Sequence, residues 1–202
     1  MKLVNNILVI AAVASVMTAC KPDLLDTNPY DKVGSETMWG NETMCDMGVN
    51  GIYATLREAK VAHEMFTQDA MGFAGQARDP QALLNGTVTA SNSLFSDTWK
   101  QLYEGIHRAN DAIFNLPGAP IDEAKKDRLM AESKFLRAYY YFRLNRVFQG
   151  VPVYLEPVED SECTNARETA DKVWEVILSD LNDCVNSANL PNKYTAGDPN
   201  YG

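Results

Sequence analysis

The sequence contains little histidine and little cysteine, and it lacks the short motifs on which common catalytic and cofactor sites are built. Its two histidines, His63 and His107, are far apart, and no HExxH motif is present. No pair of cysteines has the CxxC spacing of a zinc or redox site. The GxSxG and phosphate-loop patterns are also missing. The sequence therefore predicts no metal site, no cofactor and no enzymatic activity.

Positive charge is also scarce: 18 Lys and Arg stand against 27 Asp and Glu, which gives a formal net charge of -9. An acidic surface repels phosphate backbones, and no basic cluster with interleaved aromatic residues compensates for it. We therefore expect no nucleic-acid partner. A neutral ligand is not opposed by such a field.

Long apolar runs are missing except near the start of the chain. Residues 7–17, ILVIAAVASVM, follow the positively charged Lys2, but they are fewer than the ~20 residues that span a bilayer. This arrangement is typical of a secretory signal. The small residues Thr18 and Ala19 then precede Cys20, as in a bacterial lipoprotein. The sequence predicts a signal peptide over 1–19 and a lipidated, palmitate-bearing Cys20; the alternative is a secreted protein with an unmodified cysteine.

The segment after Cys20 predicts a tether. Several acyl chains on this cysteine would anchor the protein permanently, because a single chain binds membranes only marginally. Residues 20–36 contain two prolines and many polar residues, which favour an extended conformation. The folded domain is therefore expected over 37–202.

Apolar residues spaced by three and four positions predict four long helices. Ser96 is expected to cap the second helix, and Gly150 is expected to close the third. Cys45 and Cys184 fall within helical patterns and are expected to be buried thiols rather than parts of a disulfide framework. The predicted helices cover residues 41–60, 96–116, 121–148 and 168–188.

The third helix is unusually aromatic and is followed by an abrupt stop, FLRAYYYFRLNRVFQGVPVY, at residues 135–154. Aromatic residues all round a helix predict burial on more than one side, between other helices. Three arginines within it argue against a membrane span. The residues assigned to the core on helical spacing include Trp99, Phe135, Tyr139, Tyr140, Tyr141, Trp174 and Val185.

These patterns predict an all-α fold of antiparallel helix pairs, as in helical-repeat proteins. The one extended segment expected is VPVYLEP, residues 151–157, as a short strand or polyproline stretch on the surface. Residues 71–95 are rich in Gly, Ala, Asn and Thr and show little periodicity. A loop of that length in a compact domain is usually functional or disordered.

Five sequence blocks follow one another along the chain after Cys20. They read LLDTNP, NGIYATL, WKQLYEGIHRANDAI, AESKFLRAYYYFRLNRVFQGVPV and VWEVILSDLNDCVNSANLP. In this order they resemble the SusD/RagB family of outer-membrane nutrient-binding lipoproteins from Bacteroidetes. The block that ends in GVPV is the most specific of the five, and within it Gln149 departs slightly from the glycine that the family often carries at that position.

This resemblance implies a tetratricopeptide-like helical scaffold with glycan held by loops above it. It also implies a partner, a TonB-dependent (SusC-like) outer-membrane transporter, and a lipid-anchored location on the outer membrane facing the cell exterior. Family members are far longer than 202 residues, so we expect residues 37–202 to be the N-terminal, incomplete part of a SusD-like fold.

Sugar binding needs an aromatic face for the ring and polar side chains for the hydroxyls. Residues 69–95 supply both, and the resemblance places part of the ligand loop there. The candidate ligand-binding residues are Asp69, Arg78 and Asn92, with Phe95 as a stacking surface. A solvated loop with no ligand contact is the competing interpretation.

Two alternatives to a glycan-binding protein remain open. The chain is interpreted alternatively as a lipid-anchored helical interaction module that has protein partners but no small-molecule ligand. An anchored enzyme is a third and weaker interpretation, because no catalytic motif supports it.

Overall fold

The computed structural model describes residues 35–64, 82, 86–158, 163–191 and 193. The predicted signal peptide, Cys20 and most of the tether lie outside these residues. The helices are α1 (Ser35–Met38), α2 (Glu42–Glu64), α3 (Ser93–Asn115), α4 (Glu123–Phe148) and α5 (Ala170–Asn186), with a 3-10 turn at Leu116–Gly118. Within the described ranges there is no strand, and no helix is long and apolar enough to cross a membrane. The all-α prediction is confirmed.

Local capping explains where the helices begin and end. The Asp122 carboxylate accepts hydrogen bonds from the backbone N–H of Ala124 (3.0 Å) and of Lys125 (3.3 Å), so α4 begins where predicted. Its end is left-handed at two successive residues, Gln149 (φ 53°) and the predicted Gly150 (φ 97°). Gln149 adopts a conformation that favours glycine, and its N–H donates to the Asn145 carbonyl at 2.9 Å.

The start of α3 was predicted wrongly. Asn92, not Ser96, is the capping residue: its Oδ1 accepts a hydrogen bond from the Leu94 N–H at 2.9 Å. Ser96 lies inside the first turn, where its hydroxyl donates to the Ser93 carbonyl at 3.0 Å. Asn and Ser cap helices about equally well, so a choice between them four residues apart cannot be made from residue type alone.

Helix α4 is the centre of the domain and packs against α3 on one side and α5 on the other, with α2 also in contact. The predicted burial of its aromatic run is therefore confirmed for Tyr140 and Tyr141, which are fully buried. Their hydroxyls reach other elements: Tyr140 donates to the Ile52 carbonyl (2.7 Å), and Tyr141 donates to the Tyr154 carbonyl (2.8 Å). Burial raises the pKa of Tyr140 to about 12, so this hydroxyl remains a donor at neutral pH.

Three apolar side chains assigned to the core lie instead on the surface: Phe135, Trp174 and Val185. The inward face of α5 is centred on Ile177 and Cys184, and Trp174 and Val185 lie about a quarter turn away from it. Phe135 likewise lies on an exposed flank of α4. Helical spacing identified apolar positions, but it did not say how much of the apolar arc a neighbouring helix covers.

The cysteine predictions are confirmed where the structure describes them. Cys45 and Cys184 are buried free thiols, and Cys163 is an exposed free thiol. The Cys184 Sγ donates to the Ala131 carbonyl at 3.1 Å, which joins α5 to α4. Burial raises the pKa of Cys184 to about 11 and also raises the pKa of Cys45, so both thiols stay protonated at neutral pH.

A buried ion pair joins α4 to α5. Arg137 donates from Nε to Asp180 Oδ2 (2.8 Å) and from Nη2 to Asp180 Oδ1 (2.7 Å), a bidentate arrangement. Its Nη1 donates to Asn110 Oδ1 on α3 (2.9 Å) and to the Leu155 carbonyl (3.1 Å). One guanidinium therefore connects α3, α4, α5 and the segment that follows α4. Sequence analysis used Arg137 only as an argument against a membrane span.

Residues 151–157 were predicted to be a short strand or a polyproline stretch, and the structure excludes the strand. We call the segment Gly150–Glu156 the strap. Its carbonyl oxygens accept hydrogen bonds mostly from side chains rather than from a neighbouring strand, which explains how an irregular backbone is held on the surface of the bundle. The Gly150 carbonyl accepts from Arg167 Nε (2.9 Å), and the Val151 carbonyl accepts from the Glu168 N–H (3.2 Å). The Pro152 carbonyl accepts from Tyr103 OH (2.6 Å), and the Val153 carbonyl accepts from Asn165 Nδ2 (2.8 Å). The last three carbonyls accept as follows: Tyr154 from Asn110 Nδ2 (3.0 Å) and Tyr141 OH (2.8 Å), Leu155 from Arg137 Nη1 (3.1 Å), and Glu156 from Asn110 Nδ2 (3.2 Å).

Candidate functional site

The four predicted ligand-binding residues divide between described and undescribed parts of the chain. Asp69 and Arg78 lie outside the described residues. Asn92 and Phe95 lie at the start of α3, where a polar loop enters the helix. The structure therefore places two of the four candidates three residues apart, at the N-cap and in the first turn of α3.

The described residues immediately before α3, 86–92, are held by short-range hydrogen bonds. The Thr87 N–H donates to the Ala82 carbonyl (2.9 Å), and the Asn92 N–H donates to the Thr89 carbonyl (3.0 Å). The hydroxyls of Thr89 and Ser91 are hydrogen-bonded at 3.0 Å. Side chains on such a turn are held by local backbone bonds, so the position of Asn92 relative to α3 is fixed by the fold.

Asn92 has a structural role that sequence analysis did not assign. Its side-chain oxygen caps α3, and its carbonyl accepts the Phe95 N–H at 3.1 Å. Besides the capping oxygen, the Asn92 amide carries a nitrogen, which can only donate hydrogen bonds. A sugar hydroxyl or ring oxygen is a suitable acceptor for such a donor.

Phe95 begins an aromatic row along α3. Phe95, Trp99 and Tyr103 are spaced four residues apart, so they lie on one face of the helix. The Trp99 ring contacts the Tyr103 ring (centroids 4.9 Å apart) and the Phe148 ring (5.0 Å, edge to face). Tyr103 and Trp99 thus pack against other rings and join α3 to the end of α4, which favours the predicted core role for Trp99.

Tyr103 extends this packing to the strap. Its ring meets the Tyr154 ring edge to face, with centroids 6.2 Å apart, and its hydroxyl donates to the Pro152 carbonyl at 2.6 Å. Burial raises the pKa of Tyr103 far above its ordinary value, so the hydroxyl stays protonated and remains a donor to the Pro152 carbonyl at neutral pH. Of the aromatic row, Phe95 is the member in the first turn of α3, and it is half-buried.

A shallow polar cleft of about 230 Å³ lies on another flank of α3, lined by Asp97, Lys100, Gln101 and Glu104. Within the described part of the chain, the Gln101 Oε1 is buried without a hydrogen-bond partner. Sequence analysis missed this cleft, although the i, i+3, i+4, i+7 spacing of four polar residues was available as a signal. No group of His, Cys, Asp or Glu among the residues that the structure describes is arranged to hold a metal ion.

A second cleft of about 280 Å³ lies between α4 and α5 and is lined in part by Asp127, Lys134, Asp183 and Ser187. Its polar groups bind one another: Asp127 Oδ2 accepts from the Ser187 hydroxyl (2.8 Å), and Lys134 pairs with Asp183 (2.6 Å). These contacts join the two helices. They give the second cleft a structural explanation that needs no ligand.

Comparison with known proteins identifies the family. Residues 23–199 match a SusD-like family described as starch-binding and associating with the outer membrane. SusD-like protein P38 of Formosa agariphila is 26% identical over 175 residues, which are 83% of this chain and 34% of that protein. A SusD-like protein of Bacteroides ovatus is 25% identical over 198 residues, 91% of this chain and 35% of its own length.

Solved structures agree in fold. A laminarin-binding SusD-like protein is 27% identical and superposes with a TM-score of 0.65, covering 78% of this chain and 36% of that one. A SusD-like protein from Bacteroides fragilis is 22% identical with a TM-score of 0.71, covering 87% and 35%. The chain thus spans about a third of the length of the relatives it matches. Because the family match extends over most of its residues, the chain belongs to the SusD-like family.

Proposed function

We propose that this protein is a lipid-anchored outer-membrane protein that binds a glycan and delivers it to a TonB-dependent, SusC-like transporter. The observation that carries the proposal is the match of residues 23–199 to a starch-binding, outer-membrane-associated family. A solved relative named for laminarin binding supports a glycan as the ligand class. The role is that of a binding protein, not of an enzyme.

The anchor of the proposed protein is Cys20. Cleavage after Ala19 would leave this cysteine at the N-terminus, where its thiol accepts a lipid, and residues 20–36 would hold the domain away from the membrane on the exterior face. Cys20→Ala should therefore move the protein from the membrane fraction to the soluble fraction. Mass spectrometry that finds an unmodified Cys20 in membrane-bound wild type would contradict the anchor.

The proposed ligand contacts are Asp69, Arg78 and Asn92 as hydrogen-bonding groups and Phe95 as a stacking surface. A sugar ring has an apolar face and a rim of hydroxyls, so an aromatic side chain beside an amide and charged groups suits it chemically. The helical cap that fixes Asn92 and the turn that carries Phe95 would preorganise half of this set. Preorganisation favours binding because less conformational entropy is lost on association.

Binding is tested by affinity gel electrophoresis against a panel of polysaccharides that includes laminarin and starch. The mobility of Phe95→Ala should be retarded less than that of the wild type, whereas Phe114→Ala, on an exposed position of the same helix, should behave like the wild type. Asn92→Asp is the sharper variant, because it keeps an oxygen for the cap and removes the amide donor. Equal retardation of all four proteins would place the site elsewhere.

Delivery to a transporter is tested by co-purification with the outer-membrane proteins of the same cells. Retardation by a glycan together with a co-purified TonB-dependent transporter supports the proposal. A transporter without retardation by any glycan would instead favour an interaction module that has no ligand of its own. The second outcome is reasonable because the chain spans only about a third of the length of its relatives, so it would carry only part of a binding site that is built from the whole fold.

A further inference from the structure

Trp39 lies where the predicted tether meets the folded domain, between α1 and α2. Its side chain is only 6% exposed, whereas that of Trp174 is 39% exposed. A tryptophan buries a large apolar area, so one placed this close to the start of a domain ties the preceding chain to it. Neither the proposed ligand contacts nor the proposed anchor includes Trp39.

A glycine of α2 makes room for the indole. A Cβ on Gly48 would lie 2.7 Å from Cη2 of Trp39 and 3.3 Å from Cγ of Met38, so both side chains rest on the α2 backbone at this position. Gly48 lies in the second turn of α2, which begins at Glu42. The chain that precedes α2 is therefore folded back beside the helix.

The same indole is hydrogen-bonded to α3. Trp39 Nε1 donates to Asp111 Oδ2 at 3.0 Å. The other oxygen of this carboxylate, Oδ1, accepts a hydrogen bond from Asn115 Nδ2 at 2.9 Å, which holds the acceptor in place. A hydrogen bond to a carboxylate is stronger than one between neutral groups. One side chain thus connects the residues before α2 to both α2 and α3.

The neighbours of Trp39 in the chain are held mainly by local contacts. Among residues 37–44 only Trp39 is buried. The Gly40 N–H donates to the Thr37 carbonyl at 3.3 Å, which closes the turn after α1 but does not reach another helix. The next firm ties of α2 to the bundle are the buried Cys45 and the ion pair of Asp46 with Lys125 (2.8 Å). Release of Trp39 would therefore free the chain up to about the start of α2.

We propose that Trp39 is a latch, a side chain that holds residues 35–41 against the bundle and thereby fixes where the tether ends. With the indole seated, the tether stops at α1. With the indole released, residues 35–41 become part of the tether. Fully extended, residues 20–34 span about 50 Å, and residues 35–41 would add about 25 Å, at ~3.3–3.6 Å per residue.

The latch would therefore limit how far the domain reaches from its point of attachment. This consequence for reach rests on the proposed anchor at Cys20, whereas the latch itself depends only on the contacts of Trp39. A different role for the indole is that of an ordinary core residue, since Trp39 belongs to the main apolar cluster. The two roles differ in what its removal does: a latch opens locally, and a core residue destabilises the whole domain.

Hydrogen exchange followed by mass spectrometry on the 202-residue chain distinguishes these roles. The N–H groups of Gly40, Met44 and Cys45 are hydrogen-bonded within the latched region. In Trp39→Ala they should exchange about ten-fold faster or more, while exchange in α4 and α5 stays as in the wild type. Trp174→Ala is the matched control, because it removes an exposed tryptophan and should leave exchange before residue 46 unchanged.

Two further variants leave an aromatic ring at position 39. Trp39→Phe keeps a ring for the slot and removes the donor to Asp111, so its exchange should lie between that of the wild type and that of Trp39→Ala. Gly48→Ala places a Cβ against the indole and should release it, whereas Gly51→Ala, on the same helix with no atom closer than 3.9 Å, should not. A protease that cleaves after glutamate should then cut after Glu42 faster in Gly48→Ala than in Gly51→Ala.

Two outcomes overturn the proposal. Exchange that rises equally before residue 46 and in α4 and α5 would make Trp39 an ordinary core residue. Exchange and cleavage that stay as in the wild type in both Trp39→Ala and Gly48→Ala would show that other contacts hold residues 35–41. Neither readout depends on a lipid at Cys20 or on glycan binding, so failure of the latch and failure of the proposed function are separate results.

Discussion

Asp180→Asn should destabilise the protein severely, because it leaves the Arg137 guanidinium buried without a counter-charge. The two side chains are only 7% and 6% exposed, and two hydrogen bonds of 2.8 and 2.7 Å join them. Removing the charge of one partner from a buried pair costs about 3–5 kcal/mol. In a domain of roughly 150 residues, where 1 kcal/mol shifts Tm by about 2–4 °C, the expected fall in Tm is about 6–20 °C.

The double variant Arg137→Met with Asp180→Leu separates the ion pair from the other bonds of the arginine. Replacing both members of a buried pair by apolar residues is often neutral, because no charge remains to be desolvated. Here Arg137 also donates to Asn110 Oδ1 and to the Leu155 carbonyl. The buried Asn110 oxygen would lose this donor, at about 1–3 kcal/mol for a buried unsatisfied group, and the carbonyl of the exposed Leu155 would lose less. The double variant should therefore be more stable than Asp180→Asn and less stable than the wild type.

Urea and thermal unfolding followed by circular dichroism measure these differences. Glu175→Gln is the matched control, since it removes a carboxylate from the same helix at an exposed pair with Lys172 (2.7 Å) and should leave Tm unchanged. A loss below about 1 kcal/mol in Asp180→Asn would refute the reasoning, since breaking a buried pair costs several times more. A double variant as stable as the wild type would show that Asn110 and Leu155 do not depend on Arg137.

Three further predictions use single features of the fold. Gly105→Ala should lower Tm, because a Cβ there would lie 2.5 Å from the Tyr140 ring. Gly51→Ala is the control: its Cβ would have no atom closer than 3.9 Å, so it should raise Tm slightly by reducing the conformational freedom of the unfolded chain. A Gly105→Ala variant more stable than the wild type would contradict this packing. A thiol reagent at neutral pH should label Cys163 fast and should label Cys45 and Cys184 only on unfolding; rapid labelling of Cys45 or Cys184 would contradict their burial. Hydrogen bonds lower the pKa of Asp127, so the stability it contributes is present above its unfolded pKa, about 4, and is lost as pH falls through the lower folded value. The Tm gap between wild type and Asp127→Asn should therefore close below about pH 4, and a gap independent of pH would contradict this linkage.

The parts of the fold that sequence predicted well depend on local signals. Asp122 and Gly150 act on residues a few positions away, so the bounds of α4 were predicted within two residues. The start of α3 was missed because Asn92 lies in a polar loop without periodicity, where a later serine was an equally good cap. Tyr140 is buried and Phe135 is exposed because neighbouring helices cover one side of α4 and not the other. The spacing of apolar residues predicts a helix, but it does not predict which of its sides a neighbouring helix covers.

The candidate site was less predictable for a physical reason. A cap, a turn and a ligand contact all favour the same residue types, so Asn92 satisfies each interpretation without distinguishing them. The structure identifies the cap, and the ligand contact stays a prediction. Asp69 and Arg78 lie outside the described residues, so their roles rest on the family resemblance and on the chemistry of sugar binding.

The most specific sequence block, which ends in GVPV, has a structural explanation that does not involve sugar. The last four residues of this block, 150–153, form the first part of the strap, whose backbone is irregular. The carbonyls of the strap accept hydrogen bonds from side chains of α3, α4 and the segment before α5. Arg137, Asn110 and Tyr141 hold this segment by donating to its carbonyls, since a buried carbonyl left without a donor is costly. The block is therefore a determinant of the helical scaffold.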